Sequence, residues 1–172
     1  MEPQNDDRKI PLGISSCLLG QKVRFDSGHK HNPYITQSLG EFFSFEPFCP
    51  EVTIGLGIPR EPIRLIRGED EDSVRCVGTK NPNLDVTTEL VQCAEDQAHW
   101  VASVYGYIFK KDSPSCGMER VKVYTNASAR RDGRGMFAAT IMDRFPDLPV
   151  EEEGRLSDAR LRENFIKRVF LY

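Results

Sequence analysis

Five cysteines, at positions 17, 49, 76, 93 and 116, carry most of the chemistry this chain can offer. Three of them share a setting: Cys17, Cys49 and Cys116 each follow a short strand-like segment and sit among Ser, Pro, Gly and charged residues. The other two differ. Cys76 alternates in phase with Val74, and Cys93 flanks an apolar helical stripe. A buried free thiol behaves as a small hydrophobe, so both are expected in the core. No C-x-x-C occurs, which argues against a structural zinc knuckle. Cys116 alone would be a nucleophile in need of a histidine. Three cysteines can also hold an iron–sulfur cluster. On a four-iron cube they leave one iron without a protein ligand, a Lewis acid open to a soft donor such as sulfur. The residue types leave these readings open, alongside three unrelated cysteines.

The other candidates surround these thiols. Glu51 lies two residues after Cys49, and Ser113 three residues before Cys116. A carboxylate and a hydroxyl so tethered suit proton transfer and orientation of a nucleophile. Lys111 can stabilise developing charge, and Ser15 and Ser16 can donate to sulfur. Arg24, Asp26 and Arg60 read as loop-bracing ion-pair residues. His29 and His31 fall in a polar loop after the first cysteine and read as solvated, with a base role as the alternative; His99, on a helix, reads as a surface or capping histidine. Arg130, Arg131 and Arg134 read as an exposed loop, or alternatively as a phosphate-contacting one.

These residues need elements to place them. Ile10 to Ser15 reads as a buried strand running into Ser16-Cys17, and Phe45 to Phe48 as an apolar piece ending at Cys49-Pro50. Tyr105 to Lys110 reads as a strand leading to the Lys111–Gly117 turn. If these strands are parallel neighbours, the three thiols converge at their carboxyl ends, where α/β folds place their sites. Residues 62–66 and 73–77 read as strands joined by a turn at Glu69 to Asp72, and Val121 to Tyr124 as a further strand. Helices are expected over 34–43, over 84–104 as the longest, and over 136–145, with residues 126–135 a flexible loop. A last helix, capped by Ser157, carries Leu161, Phe165, Ile166, Val169 and Phe170.

The 172 residues suit one α/β domain with an appendage. A formal charge of −3, from 23 basic and 26 acidic residues, is no nucleic-acid footprint by itself. No apolar run of about 18 residues suggests a membrane span. The polar start MEPQNDDRKI has no apolar signal core. Reduced thiols in the cytoplasm are therefore expected.

Four strings in order, Ser15-Ser16-Cys17-Leu18-Leu19-Gly20, Val23-Arg24-Phe25-Asp26-Ser27-Gly28, Cys49-Pro50-Glu51-Val52 with Gly55-Leu56-Gly57-Ile58-Pro59-Arg60, and Lys111-Asp112-Ser113-Pro114-Ser115-Cys116-Gly117, resemble the thiouracil desulfidase family. The resemblance implies a 4Fe-4S cluster on Cys17, Cys49 and Cys116, with Glu51 and Ser113 catalytic. It further implies non-redox replacement of C=S by C=O, with the sulfur of the substrate on the open iron and sulfide released. Implied substrates are free thiouracil, a thiouridine nucleotide, or 4-thiouridine in tRNA. The alternatives are a metal-binding module without turnover and a cysteine hydrolase using Cys116. Arg162 to Phe170 resembles the opening of a helical domain fused behind this one in relatives similar to tRNA 4-thiouridine desulfidases. The expected organisation is a disordered leader (1–9), a small three-layer Rossmann-like α/β domain with a mainly parallel sheet (10–150), and a linker with the first helix of a truncated second domain (151–172).

Overall fold

A computed structural model of the chain describes residues 8–68 and 73–172. The turn expected at Glu69 to Asp72 and most of the expected leader lie outside the described residues.

The apolar run at the start forms strand β1 (Ile10–Ser15), followed by a 3-10 turn over Ser16–Leu19. The helix expected over 34–43 is instead a π turn (Tyr34–Ser38) and a 3-10 turn (Leu39–Glu41), because Phe43 already opens strand β2 (Phe43–Phe48). A one-turn helix α1 (Pro50–Thr53) precedes strands β3 (Ile63–Arg67) and β4 (Val74–Gly78). The long helical stripe divides into α2 (Thr87–Asp96) and α3 (Ala98–Val101), with Gln97 at the junction. Strands β5 (Tyr107–Phe109) and β6 (Val121–Tyr124) follow. The expected loop contains strand β7 (Ala129–Gly133), antiparallel to β6. Helix α4 (Met136–Arg144), strand β8 (Val150–Glu152) and helix α5 (Ala159–Leu171) complete the order. The longest helix is therefore α5. Its cap is Asp158 rather than Ser157, because Asp158 accepts the N–H groups of Arg160 and Leu161.

The strands build two sheets. Sheet A has the order β2-β1-β5-β8 and is parallel throughout. Sheet B has the order β4-β3-β6-β7, with β3 and β6 parallel and both hairpin pairs antiparallel. The chain is thus α/β with a mainly parallel sheet A, as expected, plus a second sheet.

Parallel strands bury both faces, and sheet A does so. One face carries Leu12, Ile14 and Ile108 against Leu18, Ile35, Phe165 and Val169. The opposite face carries Tyr107 and Phe109 against Val101, Phe137 and Ile141. Gly13 is required in β1 because a Cβ there would lie 2.4 Å from the Tyr107 ring. Sheet B packs Ile63, Leu65, Cys76, Val121 and Val123 against Val86 and Leu90, so α2 lies over its apolar face. Residues after 150 share this core: β8 pairs with β5, and α5 buries Phe165 and Val169.

Candidate functional site

Sheet A brings the carboxyl ends of β1, β2 and β5 to one edge. Cys17 sits in the turn directly after β1. Cys49 follows the last residue of β2 and is extended (φ −124°, ψ 105°), as a residue before proline must be. Pro50 then starts α1, at a helix position where its missing N–H costs nothing. That turn lifts Glu51 to the same edge. Cys116 lies in the tight turn after β5, where the Ser113 hydroxyl oxygen accepts the amide N–H groups of Cys116 (3.0 Å) and Ser115 (3.3 Å).

Helix α4 clamps this last turn. Its first amides would lack partners inside the helix. They bond outward instead: Met136 N–H to Pro114 O, and Phe137 and Ala138 N–H to Ser115 O. Gly135 N–H bonds Gly117 O at 2.7 Å. A Cβ on Gly135 would stand 2.5 Å from the Ser115 carbonyl carbon, so glycine is needed for this approach.

A cavity of about 470 Å³ opens at this edge. That volume falls within the usual range for small-molecule sites, about 300–1,000 Å³. Cys17, Cys49 and Cys116 all line it, with Glu51 and Ser113. Cations line it as well: Arg24, Lys30, Arg60, Lys110 and Lys111. Burial pushes all three thiols up. Nearby groups oppose that rise. Arg24 and Lys110 act on Cys17, the Val52 amide and Arg60 on Cys49, and the Ser15 and Ser115 hydroxyls on Cys116. The sulfurs also feel one another, since a thiolate at Cys49 raises both Cys17 and Cys116.

Glu51 is held from two sides. Its Oε1 accepts from Arg60 Nε at 3.1 Å, and its Oε2 accepts the Ser115 hydroxyl at 2.7 Å. Arg60 in turn donates to Val23 O (2.8 Å) and Gly57 O (2.9 Å), so its expected bracing role includes the candidate carboxylate. Ser15 accepts the Lys110 amide at 3.0 Å, and Lys110 Nζ pairs with Glu153 at 2.7 Å. Arg24 lies over the Phe25 ring, and its buried Nε has no hydrogen-bond partner among the described residues. Asp26 accepts the Gly28 amide and stands outside the cavity.

The remaining candidates lie elsewhere. His31 bonds Thr36, His29 accepts the His31 amide, and His99 contacts Asp96 O; none lines the cavity. Arg131 pairs with Asp112 and Arg134 with Asp143 on the surface. Cys76 and Cys93 are buried in the core, as expected. The sequence reading missed Ser115, which is 1% exposed and touches Glu51, Ser113 and Cys116. Its position in Ser-Pro-Ser-Cys, beside a candidate ligand, was the available signal.

The donor set at this edge is three soft sulfurs with hydroxyl and amide donors, which suits an iron–sulfur cluster. Among the described residues no three His, Cys, Asp or Glu side chains close on one metal ion.

A family model described as 2-thiouracil desulfurase matches residues 12–153. The uncharacterized protein YbbK of Bacillus subtilis (strain 168) is 29% identical over 134 residues, 74% of this chain and 87% of that protein. The solved structure of the 4Fe-4S-dependent thiouracil desulfidase TudS superposes with a TM-score of 0.65 at 27% identity, covering 91% of this chain and 99% of that one.

Proposed function

Because the chain belongs to the 2-thiouracil desulfurase family, we propose that it hydrolyses the thiocarbonyl of a thiolated uracil, replacing C=S by C=O and releasing sulfide. The observation that carries this reading is the meeting of Cys17, Cys49, Cys116, Glu51 and Ser113 in one cavity. Cys17, Cys49 and Cys116 would hold a 4Fe-4S cluster. When bound, such a cluster supplies a Lewis-acidic iron that makes the thiocarbonyl carbon electrophilic.

The protein groups do the rest. Arg24, Lys110, Arg60 and the serine hydroxyls partly offset the rise that burial imposes on the three thiols. Arg60 and Ser115 hold the Glu51 carboxylate in a fixed orientation, from which it takes a proton from the attacking water. Ser113, at the mouth of the turn, orients the substrate. A cysteine hydrolase is disfavoured: no histidine lines the cavity, and burial raises the Cys116 thiol rather than activating it. All five cysteines are free, in keeping with a reducing cytoplasm, and no helix among the described residues is long and apolar enough to cross a membrane.

The test is anaerobic reconstitution, then incubation with 2-thiouracil, 4-thiouracil, 4-thiouridine monophosphate and thiolated tRNA. Loss of thiocarbonyl absorbance, with release of sulfide, is read for each. About four irons per chain and turnover of at least one substrate are expected. Full turnover by an iron-free chain, or none by the iron-loaded chain on all four substrates, would overturn the proposal.

A further inference from the structure

Among the described residues, the Tyr107 hydroxyl is the one buried side-chain oxygen without a hydrogen-bond partner. The residue is 0% exposed. Leaving a buried hydroxyl unpaired is costly, and a phenylalanine would fill the same space without that cost. Its neighbour Phe109 does so, stacked on the Tyr107 ring with centroids 4.3 Å apart.

The fold makes room for this ring. Tyr107 opens β5 and pairs with Gly13 of β1. A Cβ on Gly13 would lie 2.4 Å from Tyr107 Cδ2 and 2.5 Å from Cε2, so the ring lies across β1 itself. Trp100 and Phe137 flank it at 6.1 Å and 6.3 Å. Cys93 and Cys116 belong to the same buried cluster. Burial holds the phenol well above its ordinary range, and Cys116, Cys49 and Cys93 add to the rise, so the hydroxyl lies within electrostatic reach of all three sulfurs. Tyr107 does not line the cavity; it approaches the thiols from the core side.

The three sulfurs are not equal acceptors. Cys93, pushed up to about 11, stays a thiol and accepts weakly. Cys49 and Cys116 are thiolates once they hold iron, and a hydrogen bond to an ionised acceptor is the stronger kind.

We propose that Tyr107 donates a hydrogen bond to a sulfur on the Cys49 and Cys116 side of the bound cluster, drawing charge from that sulfur and slowing loss of the iron. This rests on the cluster reading above. A donor at a cluster sulfur stabilises the more negative, reduced state and so raises the reduction potential. The same withdrawal leaves the open iron a stronger Lewis acid. Tyr107 thereby acts on the substrate only through the cluster, as a positioning residue behind it.

The experiment compares the parent, Tyr107→Phe and a chain with 3-fluorotyrosine at position 107, a stronger donor in the same place. Each is measured iron-free and after anaerobic reconstitution. It reads iron per chain, the reduction potential of the cluster, the rate of iron release to a chelator, and the thermal melt of the iron-free chain. In Tyr107→Phe the potential should move negative and iron release should quicken about tenfold. The iron-free Tyr107→Phe chain should melt no lower than the parent, because it discards an unpaired hydroxyl. The 3-fluorotyrosine chain should move the potential positive. A potential unchanged in Tyr107→Phe would overturn the proposal, and so would a lower melt of its iron-free chain, which would give the hydroxyl a partner within the protein. If Tyr107→Phe takes up no iron, the fluorinated chain decides: a positive shift supports the bond, and an unchanged potential overturns it. A parent that binds no iron removes the cluster reading itself, and the bond with it.

Discussion

Two sets of thiols in this protein are buried to a similar degree, yet the groups around them differ. Cys17 and Cys116, at the edge of sheet A, are 7% and 5% exposed; Cys76 and Cys93, in the core, are 0% and 5%. Desolvation pushes every one of them up. At the sheet edge, cations, amides and hydroxyls oppose that rise. In the core nothing does: beyond burial, Cys76 feels Glu51 and Asp85, and Cys93, pushed up to about 11, feels Asp96 and Cys49, all in the same direction. Burial therefore does not separate the core cysteines from the proposed ligands here. The neighbours do, because a thiolate or a sulfur ligand needs partners to its charge.

The largest effects should fall on one side of this division. Cys17→Ser, Cys49→Ser and Cys116→Ser should each abolish iron binding and all turnover, as measured by iron content after anaerobic reconstitution. Cys76→Ser and Cys93→Ser should load iron like the parent. Iron lost from Cys93→Ser would break the comparison. Next comes Glu51→Gln, which should keep its iron and lose about 10²–10⁴ in kcat, read from steady-state kinetics. The core side responds through stability. Cys76→Ser places a hydroxyl at a fully buried site, and a urea melt should show a loss of about 1–3 kcal/mol with iron content unchanged.

The smallest effect sharpens the comparison from another group. Glu152 is buried at the same end of sheet A, where it accepts the Met118 amide at 2.9 Å. Burial raises it to about 7, and its neighbours Glu153, Glu119 and Asp112 add to the rise. The fold thus favours the protonated form. Its contribution to stability is full below about pH 4.5 and is lost as pH rises through about 7. Thermal melts from about pH 5 to about pH 8 should show the parent falling relative to Glu152→Gln. A parallel pair of curves would mean that an acid can be buried at this edge, without a cation, at no cost.

The elements that carry the cysteines were legible because each is a short apolar run ending in small or turn-forming residues. Strand β8 was not, since Val150-Glu151-Glu152 places two carboxylates in a buried strand. They are tolerated there because Arg155 pairs with Glu151 and the Met118 amide serves Glu152. Strand β7 was hidden for a different reason: Ala129 to Asp132 is exposed, at a sheet edge with no apolar alternation to read. The break at Gln97 escaped because Leu90, Ala94, Ala98 and Val101 keep their helical spacing across it. Cys17, Cys49, Cys116, Glu51 and Ser113 could be picked out as a group by residue type and resemblance. Ser115 carried only its place beside Cys116 as a signal, because its partner Glu51 lies in α1 and only the pairing of β1 with β2 and β5 brings the two together.

The clamp of α4 on the Cys116 turn is made of main-chain amides and carbonyls, whereas Ser115 reaches Glu51 through its side chain. Scaffold and chemistry are thus written in different atoms of the same residue. A substitution at position 115 can alter the hydroxyl without erasing the bonds from Phe137 and Ala138 to its carbonyl. Such a site is open to variation: a lineage can change what its turn does to a substrate while inheriting, intact, the path that the turn follows. The constraint falls on Gly135, which has no side chain to vary and whose replacement would press on the turn from behind.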